Sequence, residues 1–233
     1  MWAMHEIRYF DNAATTGMSR PALDAYTKAV VQYRGNPSSL HQEGRDAKAF
    51  LEQTRADIAG LLGVDPLSLT FTSGATEANA IILNSLIWKE RKGHVILSSI
   101  EHPSVSEYAR LLKHLGWRVT TLAAAKGFIQ KEELQKALCS ETRLVSIMLV
   151  NNVVGTMQDI GGLVEVVRAF ESGHNNRKIH VHTDATQALG KIPFDLKAMG
   201  VDSASFSAHK LHGPRGVGLL YNTNAGIESL SRG

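Results

Sequence analysis

The chain has 233 residues, of which 43% are hydrophobic and 20% are charged, with a formal net charge of +3 at pH 7. These values are typical of a globular protein, and the length suits one large α/β domain. No run of Lys and Arg is interleaved with aromatic residues, which argues against nucleic-acid binding. No stretch resembles a signal peptide or a membrane span, and the single cysteine, Cys139, excludes an internal disulfide framework. We therefore expect a cytoplasmic protein with no membrane or nucleic-acid partner.

The first part of the chain is predicted to form an arm and two helices. Residues 1–16 are expected to be an extended N-terminal arm, and residues 17–233 one large domain. Pro21 begins a helix that continues to about Tyr33, because proline is favoured at the first helical position. Apolar residues spaced three and four apart then predict a second helix, which Gly63 closes.

From Leu67 onward, predicted strands and helices alternate. Strands are predicted over residues 67–72, 94–98, 117–122, 144–150, 178–184, 201–206 and 216–221. Helices are predicted after the first two strands, to about Lys92 and Leu115, and then over residues 131–138 and 163–170, with a surface loop over 171–177. This alternation predicts an α/β fold in which helices cover both faces of a mostly parallel central sheet.

Distinctive polar residues follow the predicted strands, at the point where each strand ends. They are Thr76, His102, Asn152, Asp184, Gln187, Ser207, His209 and Lys210. In an open α/β sheet, ligands bind outside the carboxyl ends of the strands. The convergence of these residues on one edge of the sheet therefore predicts a ligand site there.

Two of these residues have complementary chemistry. Burial lowers the pKa of a lysine and makes its free amine a nucleophile, so Lys210 is a candidate for Schiff-base formation. Asp184, at a neighbouring strand end, can stabilise a pyridinium nitrogen, and such a pair is typical of pyridoxal-phosphate sites. Taken singly, Lys210 also fits an exposed side chain, and Asp184 a cap for a helix over residues 185–189.

The segment from Ser73 to Thr76 begins a predicted helix. Its free backbone N–H groups and the Thr76 hydroxyl suit a phosphate, to which Ser207 and His209 can add contacts. A capping box that includes Glu77 explains the same residues equally well.

The remaining candidates suit a flat ring. His102 can stack on such a ring or move protons, or it can be an ordinary exposed loop histidine. Asn152 and Gln187 suit a phenolic oxygen, although such residues also terminate strands and turns.

Taken together, the motifs resemble those of the cysteine desulfurases, pyridoxal-phosphate enzymes of fold type I in the class V aminotransferase group. Selenocysteine lyases are close relatives that share most of these motifs. The matching segments cover nearly the whole chain in order, at residues 10–16, 35–39, 71–77, 101–102, 145–148, 151–155, 182–187 and 205–210.

The resemblance implies a role for each site residue. It makes Lys210 the Schiff-base lysine for pyridoxal 5'-phosphate and Asp184 the partner of the pyridine nitrogen. His102 is implied to stack on the ring and, with Lys210, to move protons. Asn152 and Gln187 are implied to bond the phenolic oxygen. The implied phosphate contacts are Ala75, through its backbone, with Thr76, Ser207 and His209.

The implied reaction converts L-cysteine into L-alanine and leaves sulfur as an enzyme persulfide, which feeds iron–sulfur cluster assembly and thiolation. The implied partners are L-cysteine or selenocysteine, a second copy of the chain in a homodimer, and a sulfur-acceptor protein. No metal site is implied. The alternatives are a selenocysteine lyase or other class V enzyme, and a non-catalytic truncated remnant.

The chain also departs from the family pattern. Val153 stands where the family usually has glutamate, and Gly17 where it usually has proline. Because family members are longer, we expect a C-terminally truncated large domain that lacks the small domain and the persulfide cysteine. Cys139 is not expected to replace that cysteine, because it lies in a predicted helix-to-strand connection.

Overall fold

The computed structural model of the chain describes residues 8–174, 178–223 and 227. Within these residues, seven strands form one sheet: β1 (Leu69–Thr72), β2 (His94–Ser98), β3 (Arg118–Leu122), β4 (Thr142–Ser146), β5 (His180–Asp184), β6 (Ser203–Ser207) and β7 (Gly218–Asn222). The helices are α1 (Arg20–Gln32), α2 (Gln42–Leu62), α3 (Ala75–Asn84), α4 (Pro103–His114), α5 (Lys131–Ala137), α6 (Ile160–Gly173) and α7 (Leu196–Met199). Short 3₁₀ turns occupy Pro66–Ser68 and Ala208–Lys210.

The strand order across the sheet is β1-β7-β6-β5-β4-β2-β3. Strands β3, β2, β4, β5 and β6 run parallel, whereas β7 is antiparallel to both β6 and β1. In the register of β5 and β6, Asp184 pairs with Ser205, so the carboxyl ends of these two strands lie side by side. The predicted α/β fold with a mostly parallel sheet is confirmed.

The central strands are covered on both faces. Every residue of β2, β5 and β6 is buried, as expected when helices pack on both sides of a parallel sheet. One core cluster includes Leu163 and Val167 of α6, and the other includes Ile82 of α3 and Leu112 of α4. No helix in the described part of the chain is long and apolar enough to cross a membrane.

Several predicted boundaries are close to those observed. Strand β2 covers residues 94–98 as predicted, and α1 begins and ends within a residue of its predicted limits. Gly63 closes α2 with a φ of 66°, in the left-handed region that favours glycine.

The prediction for α3 was wrong at its C-terminal end, because the helix stops at Asn84 rather than near Lys92. Beyond Asn84 the backbone changes to three-residue turns, in which the N–H groups of Ile87 and Lys89 bond the carbonyls of Asn84 and Leu86. This tighter hydrogen-bond pattern ends the α-helix without a glycine or proline stop signal.

The predicted surface loop over residues 171–177 was also wrong in its first part. Helix α6 continues through Gly173, and Glu171 is partly buried because it bonds Arg168 at 3.0 Å. The rest of the prediction, residues 175–177, lies outside the described residues. Strand β4 is shorter than predicted, and residues 185–189 form turns rather than a helix.

Candidate active site

A cleft of about 930 Å³ opens at the carboxyl edge of the sheet. The loops after β1, β2, β4, β5 and β6 line it, together with the arm that precedes α1. Because parallel strands end at the same edge, residues far apart in sequence meet there. All the predicted site residues line this cleft: Ala75, Thr76, His102, Asn152, Asp184, Gln187, Ser207, His209 and Lys210.

The N-terminus of α3 forms one wall of the cleft. Gly74 occupies the N-cap position, and because glycine has no side chain, no side-chain hydrogen bond caps the helix. Glu77 instead accepts a hydrogen bond from the Ser73 N–H at 2.5 Å, so only half of the expected capping box forms. The first N–H groups of a helix have no partner within it, so those of Ala75 and Thr76 are available to an anion.

Two residues after β6 extend this wall. Ser207 lies beside the helix N-terminus, with its Oγ 3.5 Å from the position that a Cβ would take on Gly74. Burial lowers the pKa of His209, and the nearby positive charges of Lys210 and Arg215 lower it further. We therefore expect His209 to be neutral at physiological pH. Its Nδ1 lies 3.0 Å from the hydroxyl oxygen of Thr15, and no partner of its Nε2 is found among the described residues.

Lys210 reaches across the cleft to the N-terminal arm. Its Nζ donates hydrogen bonds to the carbonyl oxygens of Ala13 and Ala14, each at 2.6 Å. Burial lowers the pKa of Lys210, and the carboxylates of Asp11 and Asp184 oppose that shift. The direction of the shift is the one expected for a lysine that acts as a nucleophile.

The arm is fixed over the cleft by several bonds. The Thr16 N–H and hydroxyl both donate to the carbonyl of His209, at 2.8 and 2.9 Å. Gln187 donates through Nε2 to Ala13 at 2.9 Å, and its Oε1 accepts from Lys191. Gln187 therefore holds the arm, a structural role that the sequence analysis did not predict.

Asp184 is only 4% exposed, and donors hold both of its carboxylate oxygens. Its Oδ1 accepts from the Thr186 N–H at 3.0 Å, and its Oδ2 accepts from Asn79 Nδ2 at 2.9 Å. The Thr186 hydroxyl is buried without a hydrogen-bond partner among the described residues, and Thr186 lines the cleft.

His102 is exposed, lines the cleft and also caps α4. Its Nδ1 accepts a hydrogen bond from the Ser104 N–H at 3.1 Å and lies 2.8 Å from Ser104 Oγ. The ring is therefore held through Nδ1, and its Nε2 has no partner in the part of the chain that the structure describes.

The paired asparagines after β4 have different roles. Asn151 is buried and shapes the loop, because it donates to Ile100 and accepts from the N–H groups of Val153 and Val154. Asn152 is exposed and lines the cleft.

The sequence analysis missed further residues of the cleft and its surroundings. Asp11, Met148, Thr186 and Arg215 line the cleft, and Asn79 supports Asp184 from behind. Asp11 and Thr186 lie inside motifs that were already recognised, so their position was a usable signal. Asn79 offered none, because it lies within a predicted helix, 105 residues from its partner Asp184.

A comparison of the sequence with known protein families supports the same kind of site. The model of the aminotransferase class-V family matches residues 8–232 of the chain. The chain belongs to the class-V aminotransferase family, whose members use pyridoxal phosphate. Within that family, its relatives are cysteine desulfurases, as its motifs indicated.

The chain is 45% identical over 217 residues to a NifS/IcsS protein homolog of Lactobacillus delbrueckii subsp. bulgaricus, and covers 55% of that protein. It is 41% identical to the cysteine desulfurase of Mus musculus, of which it covers 46%. Each alignment includes 91% of this chain. The chain thus spans about half the length of the curated relatives it matches.

Solved structures agree with the fold. A NifS-like protein superposes with a TM-score of 0.90 at 39% identity, over 97% of this chain and 61% of the other. A structure described as SspA in complex with cysteine superposes with a TM-score of 0.89 at 36% identity, over 97% and 65% of the two chains.

Proposed function

We propose that this chain binds pyridoxal 5'-phosphate and forms the cofactor-binding part of a cysteine desulfurase. One observation carries the proposal: Asp184 and Lys210, from the ends of adjacent strands, line the same cleft. The cofactor needs an acid beside its ring nitrogen and a lysine for its aldehyde, so this pair fits both requirements. Family membership supports the same assignment.

The phosphate end of the cofactor would lie at the N-terminus of α3. The uncapped N–H groups of Ala75 and Thr76 suit a dianion, and the helix dipole favours negative charge there. The hydroxyls of Thr76 and Ser207 and the ring of His209 add donors on the same wall. This donor set, available within the described residues, fits a phosphate.

The ring would lie between Asp184 and His102. The Asp184 carboxylate, held as an acceptor by two N–H donors, would pair with the ring nitrogen. His102 would stack on the ring, with Asn152 and Gln187 near the phenolic oxygen. The unpartnered Thr186 hydroxyl is a further polar group that a ligand in the cleft can satisfy.

Lys210 would hold the cofactor aldehyde and move protons at the substrate carbon. Its lowered pKa increases the fraction of free amine, and the same lysine can bond the arm carbonyls before the cofactor enters. When bound, pyridoxal phosphate supplies an electron sink for the bonds of an amino-acid substrate. His102, which lines the same cleft as Lys210, would serve as a second proton-transfer group.

The proposed reaction converts L-cysteine into L-alanine and transfers the sulfur to a protein thiol. The cysteine in the SspA structure supports this substrate class. Cys139 does not line the cleft, because it contacts His94 and Thr142 at the amino ends of β2 and β4. It is therefore not assigned as the sulfur acceptor.

The test is a titration of the chain with pyridoxal phosphate, followed by visible absorbance. We expect the wild-type chain to develop the band of lysine-bound cofactor and Lys210→Ala to lose it. Lys191→Ala is the matched control, since burial and the charge of Lys210 lower the pKa of Lys191 too. A band that survives in Lys210→Ala would reject the proposal.

Addition of L-cysteine to the loaded chain tests the substrate class. We expect the absorbance of the bound cofactor to change with L-cysteine, and Cys139→Ser to behave as wild type. Unchanged absorbance, or a persulfide found on Cys139 by mass spectrometry, would contradict the assignment while the cofactor proposal stood.

We also propose that the protein acts as a cytoplasmic homodimer with a protein sulfur acceptor. The support is the family resemblance. We further propose that the chain divides into an arm over residues 1–16 and a cofactor-binding domain over 17–233. Light scattering of the loaded chain tests the dimer, and a monomeric mass at micromolar concentration would contradict it.

A further inference from the structure

The side-chain amide of Asn79 is buried behind the cleft and bonds two residues that line it, Asp184 and Ser104. Asn79, in α3, is fully buried. Its Nδ2 donates to Asp184 Oδ2 and to Ser104 Oγ, each at 2.9 Å, and its Oδ1 lies 2.9 Å from Nε2 of His182. Both amide hydrogens and one acceptor position of Asn79 are therefore in use.

The direction of these bonds is determined by chemistry. An ionised carboxylate only accepts, so the NH₂ group of Asn79 must face Asp184 and its oxygen must face His182. Burial lowers the pKa of His182 to about 3, so this ring is neutral. Its Nε2 faces the Asn79 oxygen, which only accepts, so the ring hydrogen lies on Nε2. Its Nδ1 then accepts from the hydroxyl of Ser203 at 2.7 Å.

The second branch leads to His102. Ser104 Oγ accepts from Asn79, so its own hydrogen is free to point at His102 Nδ1, 2.8 Å away. The Ser104 N–H points at the same nitrogen. With two donors directed at Nδ1, a neutral His102 carries its hydrogen on Nε2.

We propose that Asn79 is a positioning residue that orients the Asp184 carboxylate directly and, through Ser104, holds His102 in the Nε2–H tautomer. The side chain of Asn79 would thereby orient both the Asp184 carboxylate, which accepts hydrogen bonds, and the Nε2–H group of His102, which donates them. The statement about Asp184 rests on the proposed function. The statement about His102 concerns the chain without a ligand.

The tautomer is measured by two-bond ¹H–¹⁵N NMR on chain labelled at histidine, with the His102 signal identified from His102→Gln. We expect a predominant Nε2–H tautomer in wild type. In Asn79→Ala and Ser104→Ala we expect a larger fraction of the Nδ1–H tautomer, because the hydroxyl donor is released or lost and only the backbone N–H of residue 104 remains directed at Nδ1. Asn84→Ala is the matched control: this buried asparagine lies on the same helix, and no contact joins it to Asp184 or His102 among the described residues.

Cofactor affinity, measured by titration with pyridoxal phosphate, tests the Asp184 branch. Asn79→Ala should weaken binding on the order of tenfold or more, because the Asp184 carboxylate loses the donor that fixes its orientation. Ser104→Ala should have a smaller effect, because the bond from Asn79 to Asp184 remains. Asn84→Ala should bind as wild type.

Mixed tautomers of His102 in wild type, or a wild-type tautomer in folded Asn79→Ala and Ser104→Ala, would overturn the inference. If Asn79→Ala does not fold, Ser104→Ala alone decides the His102 branch, because Ser104 is only partly buried. A wild-type chain that binds no cofactor would refute the proposed function, whereas the tautomer measurement would still decide between the outcomes for His102.

Discussion

The two edges of the sheet carry similar residue types and use them differently. At the amino edge, His94 bonds Thr142 at 3.0 Å through Nδ1 and Thr120 at 2.8 Å through Nε2. The backbone N–H of Cys139 also donates to the Thr142 hydroxyl. At the carboxyl edge, the first N–H groups of α3 and the Thr186 hydroxyl have no such partners among the described residues. Buried polar atoms without a partner among the described residues also occur at the amino edge, at Trp117 and His180. The uncapped N-terminus of α3 beside the cleft, rather than the presence of histidine or threonine, distinguishes the candidate site.

Charged residues are arranged differently at the two edges. At the amino edge, His94 is neutral at physiological pH because burial lowers its pKa to about 4, and the nearby Arg118 and Glu141 pair with each other at 3.3 Å. At the carboxyl edge, Lys210 and Arg215 lie on the same cleft as Asp11 and Asp184. Charges of both signs suit a cofactor that has an anionic phosphate and a ring nitrogen able to accept a proton.

The largest expected effect is a decrease in the free energy of unfolding at acid pH, caused by the buried histidines. Burial lowers the pKa of His94 and His180 to about 4 and of His182 to about 3, below the ordinary 6.5. The unfolded chain binds more protons than the native chain below pH 6.5, so stability is present above that pH and is lost towards pH 4. Each histidine contributes about 1.4 kcal/mol per pH unit in this window.

Glu101 gives the opposite slope at higher pH. Burial raises its pKa from 4.5 to about 8, and its Oε2 has no hydrogen-bond partner among the described residues. The native chain holds this proton when the unfolded chain has lost it, so stability decreases between pH 4.5 and pH 8. Urea unfolding should therefore show a maximum near pH 6.5. Glu101→Gln should remove the decrease above that maximum, and a wild-type curve that is flat from pH 5 to pH 8 would contradict both statements.

The next largest effect is expected at the carboxyl edge. Asp184→Ala removes the proposed partner of the ring nitrogen and leaves the donors of Asn79 and Thr186 without an acceptor. Cofactor affinity should fall on the order of 100-fold, as expected when a charged, hydrogen-bonded group is removed. A fluorescence titration with pyridoxal phosphate measures this loss.

Asp195→Ala is the control for that measurement. Asp195 caps α7 through the N–H groups of Lys197 and Ala198, so its removal should cost about 1 kcal/mol of stability and leave cofactor affinity unchanged. Equal cofactor affinities for Asp184→Ala and Asp195→Ala would contradict the assignment of Asp184 to cofactor binding.

A smaller effect should distinguish the buried His94 at the amino edge from the exposed His102 at the carboxyl edge. His94→Ala leaves a cavity and two hydroxyls without their partner, at Thr120 and Thr142, so unfolding should become easier by about 2 kcal/mol with little change in cofactor affinity. His102→Ala should weaken cofactor binding and lower stability by only about 1 kcal/mol, because the exposed ring caps α4 but fills no core space. Chemical denaturation and cofactor titration of both variants measure this, and the reverse pattern would contradict it.

Much of the site was predictable because its residues follow strand ends. Asp184 and Lys210 were recognised from short β-type segments that end in a charged residue, and β5 and β6 do end at or near these positions. Strand β2 was predicted at its observed limits because its apolar run has clear polar boundaries. Where the sequence contains a boundary of this kind, local pattern and tertiary structure agree.

The rest depended on contacts that one sequence does not encode locally. Asn79 meets His182 and Asp184 only because α3 packs across β5. The bonds from Lys210 and Gln187 to the arm join segments more than 170 residues apart. The extent of α6 was missed because Glu171 looked polar and exposed, whereas its carboxylate pairs with Arg168.

The most direct measurement is to load the chain with pyridoxal phosphate, reduce it with borohydride, and map the pyridoxyl group by peptide mass spectrometry. Borohydride makes a lysine linkage permanent, so the modified residue is identified without any assumption about activity. We expect one predominant adduct, on Lys210. An adduct on Lys191, a distribution over surface lysines, or no adduct would contradict the assignment of Lys210 and Asp184 to one cofactor.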